Sequence, residues 1–169
     1  MNDLDVFPIK FFEHDLPKEY CDDLLKEIKD KHPTSAVYYT DYDDPVKLDL
    51  ITVLERDLRI TFEHAGLEFK LSQYWVSIYR DDAMHPPHTH KENVFHRDNY
   101  SGILYLTDIG STSFYNPSTC MFQKNSLKIQ SEYGKIVMFP SDMIHWAEPT
   151  RSDKYRYVVP FNFQLYFTS

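Results

Sequence analysis

Residues 67–80, LEFKLSQYWVSIYR, lie where helical spacing gives way to strand composition, and that change decides the fold class. Aromatic and branched side chains crowd the stretch, and such residues pack well on a pleated, half-buried surface. Downstream the same composition returns in short runs: 101–108 (SGILYLTD), 112–117 (TSFYNP), 126–133 (SLKIQSEY), 134–140 (GKIVMFP) and 155–167 (YRYVVPFNFQLYF). Upstream the spacing is helical. Asp15 offers a cap and Pro17 a helix start, Tyr20, Leu24, Leu25 and Ile28 fall on one stripe, and His32-Pro33 stops this first helix near Lys31. A second helix is expected from Pro45 to about Ala65, with Ile51, Leu54, Leu58 and Phe62 at spacings of three and four and Gly66 behind it. Residues 5–12 (DVFPIKFF) read as a short strand ahead of both. Helices first and strands afterwards predict an α+β, mainly β chain. A helical buttress over about 15–66 would cover one face of an antiparallel barrel or sandwich over about 67–169, in a single domain spanning 1–169.

Composition narrows the class further. A chain of 169 residues with 42% hydrophobic content can bury one core of useful size. Its formal charge of −8 disfavours nucleic acid as the main partner. Only Cys21 and Cys120 are present, too few and too far apart for a disulfide framework or a zinc ribbon, so two reduced thiols are expected. The first residues, MNDLDVFPIKFFEHDLP, are acidic where a signal peptide would be basic, and no apolar run reaches about 18 residues. A soluble, cytoplasmic protein without a membrane partner is the expectation.

Four of the eight histidines fall within 85–98, HPPHTHKENVFHRD. The prolines hold the backbone extended, and there His88 and His90 project to one face with Cα atoms about 7 Å apart, close enough for two imidazoles to share a metal. A His-rich polar loop would look the same. The second signal is 133–146, YGKIVMFPSDMIHW, in which an apolar strand ends in a Pro-Ser-Asp turn that presents His145. A buried histidine satisfied by backbone is the plain alternative; a third metal ligand is the functional one. Three imidazoles would leave octahedral positions open, an arrangement that suits Fe(II).

Together these residues resemble the 2-oxoglutarate/Fe(II) oxygenase superfamily over roughly 74–163, in particular its small bacterial and phage members with a His-x-His, an SGxxYL strand and an FPSxxxH turn. The resemblance implies a double-stranded β-helix, jelly-roll or cupin-like, with Fe(II) as metal and 2-oxoglutarate as cosubstrate. Tyr79, nine residues before His88, and Tyr105, fifteen after His90, are similar to the tyrosines lining the family's 2-oxoglutarate pocket. Arg156, eleven residues beyond His145, looks like its cosubstrate arginine, whose planar fork pairs with a carboxylate. Alternation puts Arg156, Val158, Pro160 and Asn162 on one face, so Asn162 is a further candidate. A surface ion pair for Arg156, and ordinary sheet packing for the tyrosines, are the competing readings.

The chain departs from the family at one ligand. Where the superfamily carries His-x-Asp/Glu, His88-Thr89-His90 offers a second histidine, and downstream His96-Arg97-Asp98 offers a literal His-x-Asp. Spacing to the flanking strands favours His88, His90 and His145 as the metal set, with Asp98 as the open alternative to His90. The activity the resemblance implies is hydroxylation coupled to decarboxylation of 2-oxoglutarate to succinate. Loops at 91–100 and 115–124 are the expected substrate contacts. No residue names the substrate, a small molecule or a protein. Two other readings stay open: a cupin-type three-histidine enzyme without cosubstrate, for which Arg156 has no use, and a non-enzymatic β-sandwich module with vestigial histidines or a structural metal.

Overall fold

The computed structural model describes residues 9–32, 34–90, 99–116 and 125–167. In chain order the elements are β1 (Phe12–Asp15), α1 (Lys18–Lys31), β2 (Tyr38–Thr40), α2 (Ile51–His64), β3 (Leu67–Tyr74), β4 (Ser77–Tyr79) and β5 (His85–His88). There follow β6 (Tyr100–Tyr105), β7 (Ser111–Tyr115), β8 (Ser126–Gln130), β9 (Lys135–Pro140), β10 (His145–Ala147) and β11 (Arg156–Phe167). The large antiparallel sheet has the order β1-β9-β6-β11-β4-β2, with β3 also paired to β11; the small one has the order β5-β10-β7-β8. The two sheets form a double-stranded β-helix with a helical layer outside, the architecture that the resemblance implies. None of the described helices is long and apolar enough to cross a membrane.

The central strands β6, β9 and β11 of the large sheet are buried on both faces, which is why GILYL, KIVMF and YVVPFNF read as nearly unbroken apolar runs. Period-two alternation still sorts them. Leu104, Ile136, Met138, Val159, Phe161 and Phe163 face Leu24, Ile28, Leu54, Leu58 and Phe62 of the helices. Their neighbours Ile103, Tyr105, Val137, Phe139 and Val158 face inward, against Phe114, Met143 and Ala147. On the outer side Gly102 admits the Phe161 ring: a Cβ there would lie 2.2 Å from Phe161 Cζ.

Three sequence expectations need correction. Helix α2 begins at Ile51 rather than Pro45, because backbone N–H groups ahead of it are held by side chains in a non-helical path. The Val46 N–H donates to Asp41 Oδ2 at 2.9 Å, that of Leu48 to the Tyr74 hydroxyl at 2.9 Å, and those of Asp49 and Leu50 to the Glu27 carboxylate at 2.5 and 3.2 Å. The stretch 67–80 is two strands, not one. Opposite the break stands Pro160, which has no N–H for a ladder; the Trp75 N–H donates to its carbonyl at 3.1 Å, and the Val76 N–H turns to Asp41 Oδ1 at 2.6 Å. Finally, of the strand expected over 5–12, residues 5–8 lie outside the described residues, 9–11 are not strand and Phe12 opens β1 (Phe12–Asp15); Asp15 pairs with Lys135 instead of capping α1, whose N-cap is Pro17. Residues 1–8 lie outside the described part.

Candidate metal centre

The ends of β5 and β10 build the centre of the site. His88 and His145 are direct partners in the antiparallel ladder, and their ring centroids lie 4.3 Å apart. Two residues on, the His90 N–H donates to the Ser141 carbonyl at 3.0 Å, which ties the Pro-Ser-Asp turn to the other histidine strand. His90 then stands 4.8 Å from the His145 ring and 5.1 Å from that of His88. One ligand atom from each of the three rings falls within 4.8 Å of the others.

Each ring is oriented from behind. The Nδ1 atoms of His88, His145 and His90 meet the Pro86 carbonyl at 2.8 Å, the Met143 carbonyl at 2.9 Å and Asn162 Oδ1 at 2.8 Å. All three partners accept, so each Nδ1 carries the proton and each Nε2 presents a lone pair. At His90 the assignment is reinforced by Ser101, whose hydroxyl donates to the same Asn162 oxygen at 2.8 Å. Such acceptors behind the rings are what fixes a ligating histidine's tautomer. Burial, with help from neighbouring imidazoles, pushes His145 down to about 2 and His90 to about 4. Both are therefore neutral at physiological pH, the form that binds a metal.

The histidines open into a cavity of about 270 Å³ between the sheets, whose far end is Arg156. Arg156 is 1% exposed, an unusual place for a guanidinium. Its Nη2 donates to Thr112 Oγ1 at 3.1 Å, while Nε and Nη1 are buried without a hydrogen-bond partner. Its Cζ lies 5.3 and 5.8 Å from the ring centroids of Tyr79 and Tyr105. Tyr79 is its direct ladder partner, and the Tyr105 hydroxyl donates to Thr112 Oγ1 at 2.9 Å. Behind the guanidinium, Gly110 has φ +78°, and a Cβ there would stand 3.1 Å from Arg156 Cδ. The positive φ favours glycine here, and a Cβ would also press on the Arg156 side chain.

Every described residue singled out from the sequence reaches this cavity or its wall: His88, His90, His145, Tyr79 and Arg156 line it, Tyr105 contacts the Arg156 end, and Asn162 holds His90. Asp98, and nearly all of the two loops expected to contact substrate, lie outside the described residues. Sequence reasoning missed Thr112, Tyr38, His85 and Trp75. Thr112 had a signal, since alternation with the buried Phe114 turns it inward. Tyr38 had none: it sits on a three-residue strand, where its hydroxyl meets His85 Nδ1 at 2.9 Å. His85 lies 4.3 Å from the His88 ring and is pushed down to about 4 by burial and by His88.

The same architecture recurs in solved structures. A prolyl-4-hydroxylase from Pseudomonas putida superposes with a TM-score of 0.68 at 16% identity, covering 92% of each chain. A viral collagen prolyl hydroxylase from Paramecium bursaria Chlorella virus-1, solved with 2-oxoglutarate, gives 0.65 at 16% identity over 90% of this chain and 94% of its own. HygX from Streptomyces hygroscopicus, solved with nickel and 2-oxoglutarate, gives 0.68 at 11% identity over 92% and 82%. The chain has the fold of the 2-oxoglutarate/Fe(II) oxygenases. No family model matches its sequence, and no curated protein does.

Proposed function

We propose that the protein is an Fe(II)- and 2-oxoglutarate-dependent dioxygenase that hydroxylates an organic substrate. The observation that carries this reading is Arg156, a buried guanidinium with two unpartnered nitrogens, in one cavity with three converging imidazoles. A buried cation is costly unless an anion completes it, and a planar fork matches a carboxylate. When bound, iron and 2-oxoglutarate supply the oxidative chemistry, consuming O₂ and releasing succinate and CO₂ as the substrate gains a hydroxyl. The chain's part is to bind, orient and exclude water. His88, His90 and His145 would hold the metal through Nε2, with Pro86, Asn162 and Met143 fixing the rings.

Arg156 and Thr112 would take the distal carboxylate. Thr112 Oγ1 already accepts from Arg156 and from Tyr105, so its own proton is left to donate. The Tyr79 and Tyr105 rings wall the guanidinium, and burial raises both phenols, keeping them protonated and uncharged beside an incoming anion. Three neutral imidazoles leave the metal charge to be balanced by the cosubstrate.

Anaerobic addition of Fe(II), with and without 2-oxoglutarate, tests the reading. A visible charge-transfer band that needs both is expected; no band under any combination rejects it. All-imidazole ligation also suits a cupin-type enzyme without cosubstrate, and Arg156 separates the two, since such an enzyme has no carboxylate to place there. Fe(II) affinity of His90→Ala beside Asp98→Ala decides the third ligand: the loss is expected in the histidine variant.

A further inference from the structure

We infer that the mouth of this cavity is a receptor for an organic cation, an alkylammonium group carried by the substrate. As a substrate assignment this rests on the oxygenase reading above; as a binding site it does not.

An aromatic wall leads outward from the metal end. Trp75, 5% exposed, packs its ring 5.2 Å from His90, and Tyr42, 38% exposed, meets Trp75 edge to face at 4.8 Å and 86°. The wall therefore runs from the buried imidazole to solvent, and Asp43, exposed, lines the same cavity beside Tyr42. Among the described lining residues Asp43 is the one carboxylate and Arg156 the one guanidinium, with no lysine beside them. Arg156 lies at the far end against Thr112, Tyr79 and Tyr105. Among the described lining residues the mouth offers an anionic substrate head no lysine or arginine, whereas a cation finds the Asp43 carboxylate beside the Tyr42 and Trp75 rings. A formal charge of −8 on the whole chain adds long-range attraction of the same sign.

The mouth is also held rigid. Buried Asp41 accepts the N–H groups of Val76 and Val46, its carbonyl accepts that of Asp44, and the Gln73 amide donates to the Tyr42 carbonyl at 3.2 Å. Four hydrogen bonds thus fix the turn that offers Tyr42 and Asp43, so little ordering cost is left for binding.

The test uses the full chain, loaded with Zn(II) and labelled with 5-fluorotryptophan, its two fluorine resonances assigned by Trp146→Phe. The probe is Nα-acetyl-lysine amide, with its neutral analogue Nα-acetyl-norleucine amide as control. Saturable shift of the Trp75 resonance is expected with the lysine probe, at an affinity at least about fivefold above the control. Asp43→Asn and Tyr42→Ala should each weaken the lysine probe by roughly fivefold, with Zn(II) loading unchanged. Equal response to both probes, no shift of Trp75, or an unaltered affinity in Asp43→Asn overturns the proposal. Binding of 2-oxoglutarate, measured on the same samples, separates the two readings. A chain that takes the lysine probe but not 2-oxoglutarate keeps the cation site and loses the oxygenase; the converse loses the cation site alone.

Discussion

Asn162 and Phe163 are adjacent in sequence and point into different worlds. Phe163, on the outer face of the large sheet, is fully buried among aromatic rings, with Phe69, Tyr100, Phe161 and Phe62 at 4.9, 5.6, 5.7 and 6.0 Å. Asn162, on the inner face, is 5% exposed and spends its oxygen on His90 and Ser101. The same backbone thus carries two economies: one face holds the protein together, and the other tolerates polar and charged groups that packing alone would reject. Stability should track the outer residues, and ligand binding the inner ones.

The comparison breaks most visibly at Phe163→Ala. Loss of a fully buried aromatic should cost about 3–5 kcal/mol in urea unfolding, while the folded fraction still loads metal. A variant that keeps its stability but loses metal would invert the assignment of faces. One residue back, Asn162→Ala should lower Fe(II) affinity roughly tenfold to a hundredfold, because His90 loses the acceptor that fixes its tautomer. Its effect should appear in a metal titration at fixed protein stability.

Arg156→Met sharpens the contrast further. Replacing a buried, half-satisfied cation by an apolar side chain should leave the unfolding midpoint unchanged or raise stability by about 1 kcal/mol, while calorimetry on the Zn(II)-loaded chain shows no 2-oxoglutarate binding. A fall of several kcal/mol would mean that the guanidinium is structural. The smallest effect is on the helix side, at His32. Burial lowers its pKa, so as pH falls through about 6.5 the unfolded chain takes up a proton before the folded one does. Its contribution is therefore present above that pH and lost below it. His32→Gln should flatten the acid limb of the metal-free stability curve slightly; an unchanged limb would show that the ring titrates alike in both states.

Much of this was legible in the sequence, for identifiable reasons. Runs of aromatic and branched residues gave away the strands, and period two along 156–162 sorted Arg156, Val158, Pro160 and Asn162 onto one face. The helix spacing from Ile51 to Phe62 was equally plain. What escaped was structure set by distant side chains. Asp41, Tyr74 and Glu27 hold 46–50 out of the helix, and nothing local to Pro45 announces them. The break at Trp75 depends on Pro160, more than eighty residues away. Tyr38 and Thr112 belong to the cavity only because β2 and β7 pair where they do, and a three-residue strand leaves almost no pattern to read.

Strand β11 has a consequence for how the chain is made. It is the last described strand along the sequence, yet it lies inside the large sheet, paired with β6 on one side and with β4 and β3 on the other. Before β11 is made, the edges of β6 and β4 that it occupies have no partner, and an open edge is the kind that recruits other chains. All three histidines have emerged by residue 145, but the strand that closes the sheet also delivers Arg156 and Asn162. The finished pocket and the paired edges of β6 and β4 therefore depend on the same strand, and a chain halted before it has neither.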